Sequence, residues 1–185
     1  MTLFLFSLFV LIVVLFITGL AVLGVAFLDL IGYVWTEVPF VPASPPVVRA
    51  VVRLAPKNTG VFYDLGSGEG RVVIAVAEAY PNIKAVGVER APLPTIATWL
   101  GRKSRPPNAS FLFQDARRVS LKNASYVYLY LLPKVVRKFE QKLEEELAPG
   151  SRLVCCDFPL KNRPADETQT VTHGKKSHTL YVYDV

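Results

Sequence analysis

The sequence has few residues that could crosslink the chain or bind a metal. There are 2 cysteines among the 185 residues. Cys155 and Cys156 are neighbours, and adjacent side chains on a strand point to opposite faces, so we expect no disulfide between them. Cysteine and histidine do not cluster at metal-ligand spacing, and we predict no metal site. This composition fits a reducing compartment, and the chain shows no internal repeat or low-complexity tract.

Charged side chains are absent from the first 28 residues. Residues 3–28 form an almost unbroken apolar run, which at about 1.5 Å per residue exceeds the roughly 30 Å hydrocarbon core of a bilayer. A cleavable signal peptide is the alternative, but it would have a basic start and a shorter apolar run. We therefore predict an uncleaved transmembrane anchor over residues 1–32.

The position of basic residues predicts how this anchor is oriented. Arg49, Arg53 and Lys57 follow the run and none precedes it, so the rest of the chain should face the cytoplasm, or lie at the mitochondrial inner membrane in a eukaryote. The formal net charge of +6 lies after residue 28. It predicts a basic face that serves solubility or anionic lipid, with nucleic acid or an acidic partner as the alternative. Because no basic stripe is interleaved with aromatic residues, we expect no nucleic-acid partner.

Residues 33–46 contain several prolines and are predicted to form an extended linker. Ser44 is expected to cap a helix that Pro45 and Pro46 begin, which opens one domain over residues 47–185. Within it, strands at 61–64, 85–89, 110–114, 125–131 and 152–156 alternate with helices at 71–79, 93–103 and 134–147. A hairpin of residues 168–172 and 179–185, turning at 173–176, follows. The pattern predicts an α/β fold, a Rossmann-like, mostly parallel sheet with a C-terminal antiparallel hairpin.

A glycine-rich segment, Asp64-Leu65-Gly66-Ser67-Gly68-Glu69-Gly70, directly follows the first predicted strand and precedes a helix. In this context the glycines allow a tight turn and close approach of a nucleotide-type ligand. Asp64 and Glu69 flank the loop and would repel a pyrophosphate, whereas they would attract an ammonium and a sulfonium. The loop therefore favours S-adenosylmethionine over NAD.

Two further acidic residues end the next two strands. Glu89 comes about one strand and one helix after Asp64, where a carboxylate can accept hydrogen bonds from both ribose hydroxyls. Asp115 ends the third strand, where it could accept from the adenine amine. Either residue alone is often a solvated strand end, but both at one sheet edge after such a loop favour a ligand site.

With these motifs, the chain resembles class I, seven-β-strand methyltransferases. Within that group it is similar to the membrane-associated protein-lysine methyltransferases of the ATP synthase c subunit and the adenine nucleotide carrier, and to their archaeal relatives. The resemblance runs from about Pro39 to Val185. It rests on these segments: Pro39-Phe40-Val41-Pro42, Tyr63-Asp64-Leu65-Gly66-Ser67-Gly68-Glu69-Gly70-Arg71, Val86-Gly87-Val88-Glu89, Asp115, Lys142-Leu143-Glu144-x-Glu146-Leu147 and Cys156-x-Phe158-Pro159.

The resemblance implies a seven-stranded sheet, S-adenosylmethionine as methyl donor, S-adenosylhomocysteine as product, and lysine as acceptor. The donor-binding residues it implies are Phe40, Pro42, Asp64, Gly66, Ser67, Gly68, Gly70, Glu89, Arg90, Asp115, Ala116 and Tyr130. The chain departs from the family in three places: Glu69 replaces Asp, Arg90-Ala91-Pro92 replaces Asn-Pro, and Lys161-Asn162-Arg163 stands where an aromatic residue is usual.

The candidate catalytic residues are Tyr128 and Tyr130, at the end of the fourth strand, and Asp157, after the fifth. Aromatic walls favour a cationic amine, although these tyrosines could equally pack as ordinary strand residues. Phe40 and Pro42 are expected either to cover the donor or to serve as a spacer. His173 and His178 are expected to be solvated near the hairpin turn, without a role.

The leading hypothesis is a membrane-anchored methyltransferase that modifies lysines of a membrane-associated protein, the anchor raising the local concentration. A lipid or quinone methyltransferase would use the same anchor and donor site. A non-catalytic S-adenosylmethionine-binding membrane scaffold is the alternative from another class. Fold alone does not decide among these acceptors.

Overall fold

The computed structural model describes residues 2–36, 41–56, 60–100 and 105–185. Its helices are α1 (Thr2–Thr36), α2 (Pro45–Arg53), α3 (Arg71–Ala79), α4 (Pro92–Leu100) and α5 (Pro133–Glu146). A short 3-10 helix covers Ala116–Arg118. The strands are β1 (Gly60–Leu65), β2 (Ile83–Glu89), β3 (Ala109–Phe113), β4 (Ala124–Leu129), β5 (Arg152–Cys156), β6 (Glu167–His173) and β7 (Lys176–Asp184).

The strands form one seven-stranded sheet in the order β3-β2-β1-β4-β5-β7-β6. The first five strands are parallel to one another. The last strand, β7, lies between β5 and β6 and is antiparallel to both. The predicted fold class is confirmed, and the order reverses beside β1, the point at which open α/β sheets bind ligands at their carboxyl edge.

Apolar helix faces cover the two sides of this sheet. On one side, Val47 and Val51 of α2 and Val72 and Val76 of α3 pack on β1 and β4. On the other side, Val136, Phe139 and Leu143 of α5 are buried with Leu129 and Leu153. Spacings of three and four residues put these side chains on one helix face. Burial on both sides explains why the central strands are apolar throughout.

Helix α1 is long and exposed. It continues to Thr36, so its last turn covers the first residues of the predicted linker. Its span Phe4–Leu28 is long and apolar enough to cross a membrane, and none of that span is buried against the rest of the protein. Of the rest of the structure, α1 contacts α4.

Local structure differs from the predictions at both ends of the domain. Ser44 is at the N-cap of α2, but its side chain makes no capping hydrogen bond, because Pro45 and Pro46 remove two of the backbone N–H groups it could have reached. The C-terminal hairpin is longer than predicted, and its turn is at Gly174 and Lys175. His178 therefore lies within β7 and not in the turn.

Candidate active site

The glycine-rich loop forms a tight turn between β1 and α3. Gly66, Gly68 and Gly70 all have left-handed backbone conformations, with φ of 89°, 56° and 86°. The N–H groups of Gly66 and Ser67 both donate to the carbonyl of Val88, at 2.8 and 3.0 Å. These bonds fix the loop against β2, and they turn it towards the carboxyl edge of the sheet.

The loop and β2 approach each other too closely for side chains. A Cβ at Gly87 would lie 2.7 Å from Ser67 Oγ, and one at Gly70 would lie 2.4 Å from the Phe111 ring. Gly70 is the N-cap residue of α3. It does not line the cleft described next, so its place in the structure is one of close packing.

A cleft opens at the carboxyl edge of β1, β2 and β4. The candidate residues that line it are Pro42, Asp64, Gly66, Ser67, Gly68, Glu89, Arg90, Asp115, Ala116, Tyr128 and Tyr130. The sequence analysis missed other lining residues, namely Val41, Ala43, Arg71, Pro94, Gln114, Arg117, Val135, Lys138 and Phe139. Phe40, another candidate, lies outside the described residues.

The carboxylate of Asp64 is buried at the floor of this cleft, with 3% of the residue exposed. No described side chain donates a hydrogen bond or an ion pair to it. Burial, and to a lesser extent the charge of Glu89, raise the pKa of Asp64 from 3.8 to about 8. An uncompensated buried acid of this kind stabilises a cation that enters the cleft.

Glu89 organises the loop in addition to lining the cleft. One carboxylate oxygen accepts a hydrogen bond from the Gly68 N–H at 2.9 Å. The other accepts from the N–H groups of Arg90 and Ala91, at 2.8 and 2.7 Å. A carboxylate has about four acceptor positions, so one remains for a ligand, fewer than the two that the sequence analysis expected.

Asp115 is already paired with arginines. Its carboxylate accepts from the Arg90 guanidinium at 3.0 Å and from both the backbone N–H and the guanidinium of Arg117. The hydrogen bond with Arg117 lowers the pKa of Asp115 to about 2, although partial burial opposes this shift. A ligand amine that reached Asp115 would have to share it with these arginines, which the sequence did not predict.

Three tyrosines alternate along β4 and beyond it. Tyr126 is buried, and its hydroxyl donates to the carbonyl of Val51 at 2.7 Å, so it packs as the alternative interpretation expected. Tyr128 and Tyr130 line the cleft. The Tyr128 hydroxyl is buried and has no hydrogen-bond partner in the described part of the chain.

Asp157 lies behind Tyr130 and not on the cleft wall. Its carboxylate is 2.8 Å from His178 Nδ1 and accepts from the Thr179 N–H at 3.1 Å. His178 is thus not solvated, contrary to expectation, because β7 lies beside β5 and brings its side chain to Asp157. Only 13% of the His178 side chain is exposed.

The same strand pairing brings Cys156 near this pair. The candidate ligand atoms of Cys156, Asp157 and His178 lie within 4.8 Å of one another, a cluster that linear spacing could not predict. Burial raises the pKa of the Cys156 thiol to about 12. A metal needs the thiolate, so we assign these residues to the hydrogen-bond network around Asp157.

Comparisons with known proteins agree with this architecture. The model of the ANTKMT methyltransferase domain matches residues 64–167. A protein-lysine N-methyltransferase of Saccharolobus islandicus is 33% identical over 154 residues, which cover 80% of this chain and 93% of that protein. The lysine N-methyltransferase of Rattus norvegicus that is named for the ATP synthase c subunit is 34% identical over 155 residues, which cover 80% of this chain and 66% of that protein.

Solved structures give the same result. An RNA methyltransferase of Salinibacter ruber, in complex with S-adenosyl-L-homocysteine, superposes with a TM-score of 0.69 and 33% sequence identity. The match covers 78% of this chain and 93% of that one. The sheet order, the loop with its acidic flank and these matches lead to one conclusion: the chain is an S-adenosylmethionine-dependent methyltransferase and belongs to the family of the ANTKMT methyltransferase domain.

Proposed function

We propose that the protein methylates lysine side chains of a membrane-associated protein. The observation that carries the proposal is the buried Asp64 carboxylate, which has no cationic partner among the described residues and faces a cleft that ends at two tyrosines. The relatives that act on protein lysines support the acceptor class. One of them acts on the ATP synthase c subunit.

The residues around the cleft fit the methyl donor. We assign the donor ammonium to Asp64, and the ribose hydroxyls to Glu89. The adenine amine is assigned to Asp115, once Arg117 or Arg90 yields part of it. The unpartnered hydroxyls of Ser67 and Tyr128 are available to the same ligand, and Gly66, Gly68, Ala116 and Pro42 supply close backbone and apolar contact. S-adenosylmethionine supplies an electrophilic methyl group on a sulfonium.

At the acceptor end, the chain's task is to position an amine and help it lose a proton. Lysine has an ordinary pKa near 10.4, so at pH 7 it is almost entirely protonated and cannot attack. We assign the wall of the acceptor site to Tyr128 and Tyr130, whose faces and hydroxyls favour an amine over an apolar group. Asp157, behind Tyr130, supplies the negative charge.

Methyl transfer by the full-length protein tests this function. The purified chain in detergent is incubated with methyl-labelled S-adenosylmethionine and washed membranes, and labelled products are separated into protein, lipid and RNA. We expect label on lysine in the protein fraction. Label in the lipid or RNA fraction would replace the acceptor class, whereas donor binding without any transfer would favour the non-catalytic scaffold.

We also propose that α1 anchors the catalytic domain, residues 47–185, to the cytoplasmic side of a membrane. Outside α1, the exposed large apolar side chains of the described chain are Val41, Ile96, Leu112 and Phe113. Val41 lines the cleft, and so do Pro94 and Gln114, which are close in sequence to Ile96 and Phe113. Ile96 also belongs to α4, the helix that contacts α1. These residues fit a cleft mouth that lies against the bilayer.

Extraction at alkaline pH tests the anchor. The parent chain should remain in the membrane pellet. Replacing both Val14 and Leu15 with arginine should release most of it, because each charge at a helix centre costs about 2.5 to 3.5 kcal/mol on insertion scales. The control places two arginines at the exposed positions Glu144 and Glu145. Release of the parent itself would contradict the anchor.

A further inference from the structure

The backbone of Asp157 is unusual. It has a φ of 65°, and it is the one non-glycine residue of the described chain with a positive φ. The strand pairing holds it there, since its N–H donates to the Thr179 carbonyl at 2.7 Å. Such a conformation costs about 1 kcal/mol or more and persists where the surroundings enforce it, often at functional sites.

This conformation directs the carboxylate between two side chains. On one side is His178, whose Nδ1 is 2.8 Å from Oδ2. On the other is the Tyr130 hydroxyl, which lies in hydrogen-bonding range of the same carboxylate. The rings of Tyr130 and His178 also meet edge to face, with centroids 6.0 Å apart. The three side chains form one connected group.

Only Tyr130 of this group reaches the cleft. Burial, followed by the charge of Asp157, raises the pKa of Tyr130 to about 12. The phenol thus stays protonated at working pH, and it can donate its proton to Asp157 while its oxygen lone pairs face the cleft. A carboxylate behind a phenol makes that oxygen a stronger acceptor for an ammonium.

We propose that Tyr130, Asp157 and His178 form an acceptor-amine site, in which Tyr130 binds the substrate ammonium and passes its proton to Asp157. The inference rests on the proposed lysine methylation and deepens it. His178 acts as a positioning residue, because it touches Asp157 and not the cleft. Its Nδ1–H donates to the carboxylate and keeps the other carboxylate oxygen turned towards Tyr130.

The proton and the electrons balance within this site. The ammonium N–H bond breaks and its proton moves to the Tyr130 oxygen, while the Tyr130 proton moves to Asp157. The neutral amine then forms a bond to the donated methyl carbon, as the carbon–sulfur bond breaks and leaves its electron pair on sulfur. Methylated ammonium, S-adenosylhomocysteine and protonated Asp157 result, and Asp157 later returns its proton to solvent.

Other groups around Asp157 do not compete for this proton. Cys156, whose pKa burial raises to about 12, stays a thiol. Burial also raises the pKa of Tyr128 well above its ordinary value. Across the hairpin, the residue opposite His178 is Val171, which is apolar and does not titrate.

Sinefungin is a suitable probe, because it carries a protonated amine where the donor carries its methyl sulfonium. Calorimetry on the full-length protein in detergent compares it with S-adenosylhomocysteine, which lacks that amine. We expect the parent to prefer sinefungin by tenfold or more. Asp157→Asn, which tolerates a positive φ, should remove most of this preference and leave S-adenosylhomocysteine affinity within about twofold.

The histidine variants separate positioning from general packing. His178→Leu should reduce the preference about fivefold, and His178→Asn, which keeps an N–H donor at the Nδ1 position, should restore it. The control is His173→Asn in the exposed hairpin. An unchanged preference in both Asp157→Asn and His178→Leu would overturn this inference, and so would a parent that binds the two analogues equally. If the parent binds neither, the donor site and the proposed function fail instead.

Discussion

Asp64→Asn is expected to stabilise the ligand-free protein at pH 7.5 while it abolishes useful donor binding. In the folded protein, burial raises the pKa of Asp64 to about 8, whereas the unfolded chain ionises near the ordinary value. At pH 7.5 the unfolded state is therefore favoured by proton release. Removing this ionisation should raise the free energy of unfolding by about 2 to 4 kcal/mol.

The pH dependence gives the sign of this effect. The stabilising contribution of protonated Asp64 is fully present below the unfolded pKa, and it is lost as the pH rises towards about 8. Between pH 4 and 8 the parent should therefore lose more stability than Asp64→Asn. Urea unfolding of the full-length protein in detergent, followed by near-ultraviolet circular dichroism, measures both curves.

Donor binding should show the reverse trend. A bound ammonium favours ionised Asp64, so binding to the parent releases a proton and should strengthen as the pH rises from 6 to 8. Asp64→Asn should bind at least tenfold more weakly at pH 7.5, with little of this dependence. The control is Glu144→Gln, which removes one exposed charge from α5. A variant that bound the donor like the parent would remove Asp64 from the site.

Glu89→Gln is expected to weaken both the loop and the ligand site. The Glu89 carboxylate accepts from the N–H groups of Gly68, Arg90 and Ala91. An amide replaces one oxygen with an NH₂ group, which must face at least one of these donors. Loss of a charge-assisted hydrogen bond costs about 1.5 to 3 kcal/mol. We expect a comparable loss of stability and donor binding weaker by ten- to hundredfold.

Thermal unfolding and calorimetry measure these two effects on the same protein. The matched control is Glu78→Gln, an exposed acidic residue on α3. If Glu89 were a solvated strand end, Glu89→Gln would resemble this control in both measurements. A loss of donor affinity with unchanged stability would mean that Glu89 contacts the ligand but does not order the Gly68 loop.

The central strands were predictable because local rules and tertiary packing agree there. Residues 61–64 and 152–156 are short apolar runs beside glycine or proline turns, and the structure buries them as β1 and β5. The helix from Arg71 to Ala79 was predicted with the same bounds that it has, since the glycine loop fixes its start. At Ser44 the rules conflict, because a good cap precedes two prolines that lack the N–H groups to be capped.

The site was predictable where its residues follow strands directly in sequence. Asp64, Glu89 and Asp115 were named because parallel strands end at one edge. Long-range pairing hid the rest. His178 reaches Asp157 because β7 pairs with β5, 21 residues away in sequence, and no local pattern marks that register. The arginines at Asp115 depend on flexible side chains that converge from two loops.

The position of β7 has a consequence for biosynthesis. This strand lies inside the sheet, between β5 and β6, although the ribosome makes it after both of them. The strands and helices that surround the donor cleft are synthesised earlier, and β6 has nothing to pair with until β7 is released. The nascent domain should therefore acquire its nucleotide-binding half first, and it becomes competent for chemistry only when its final strand leaves the ribosome.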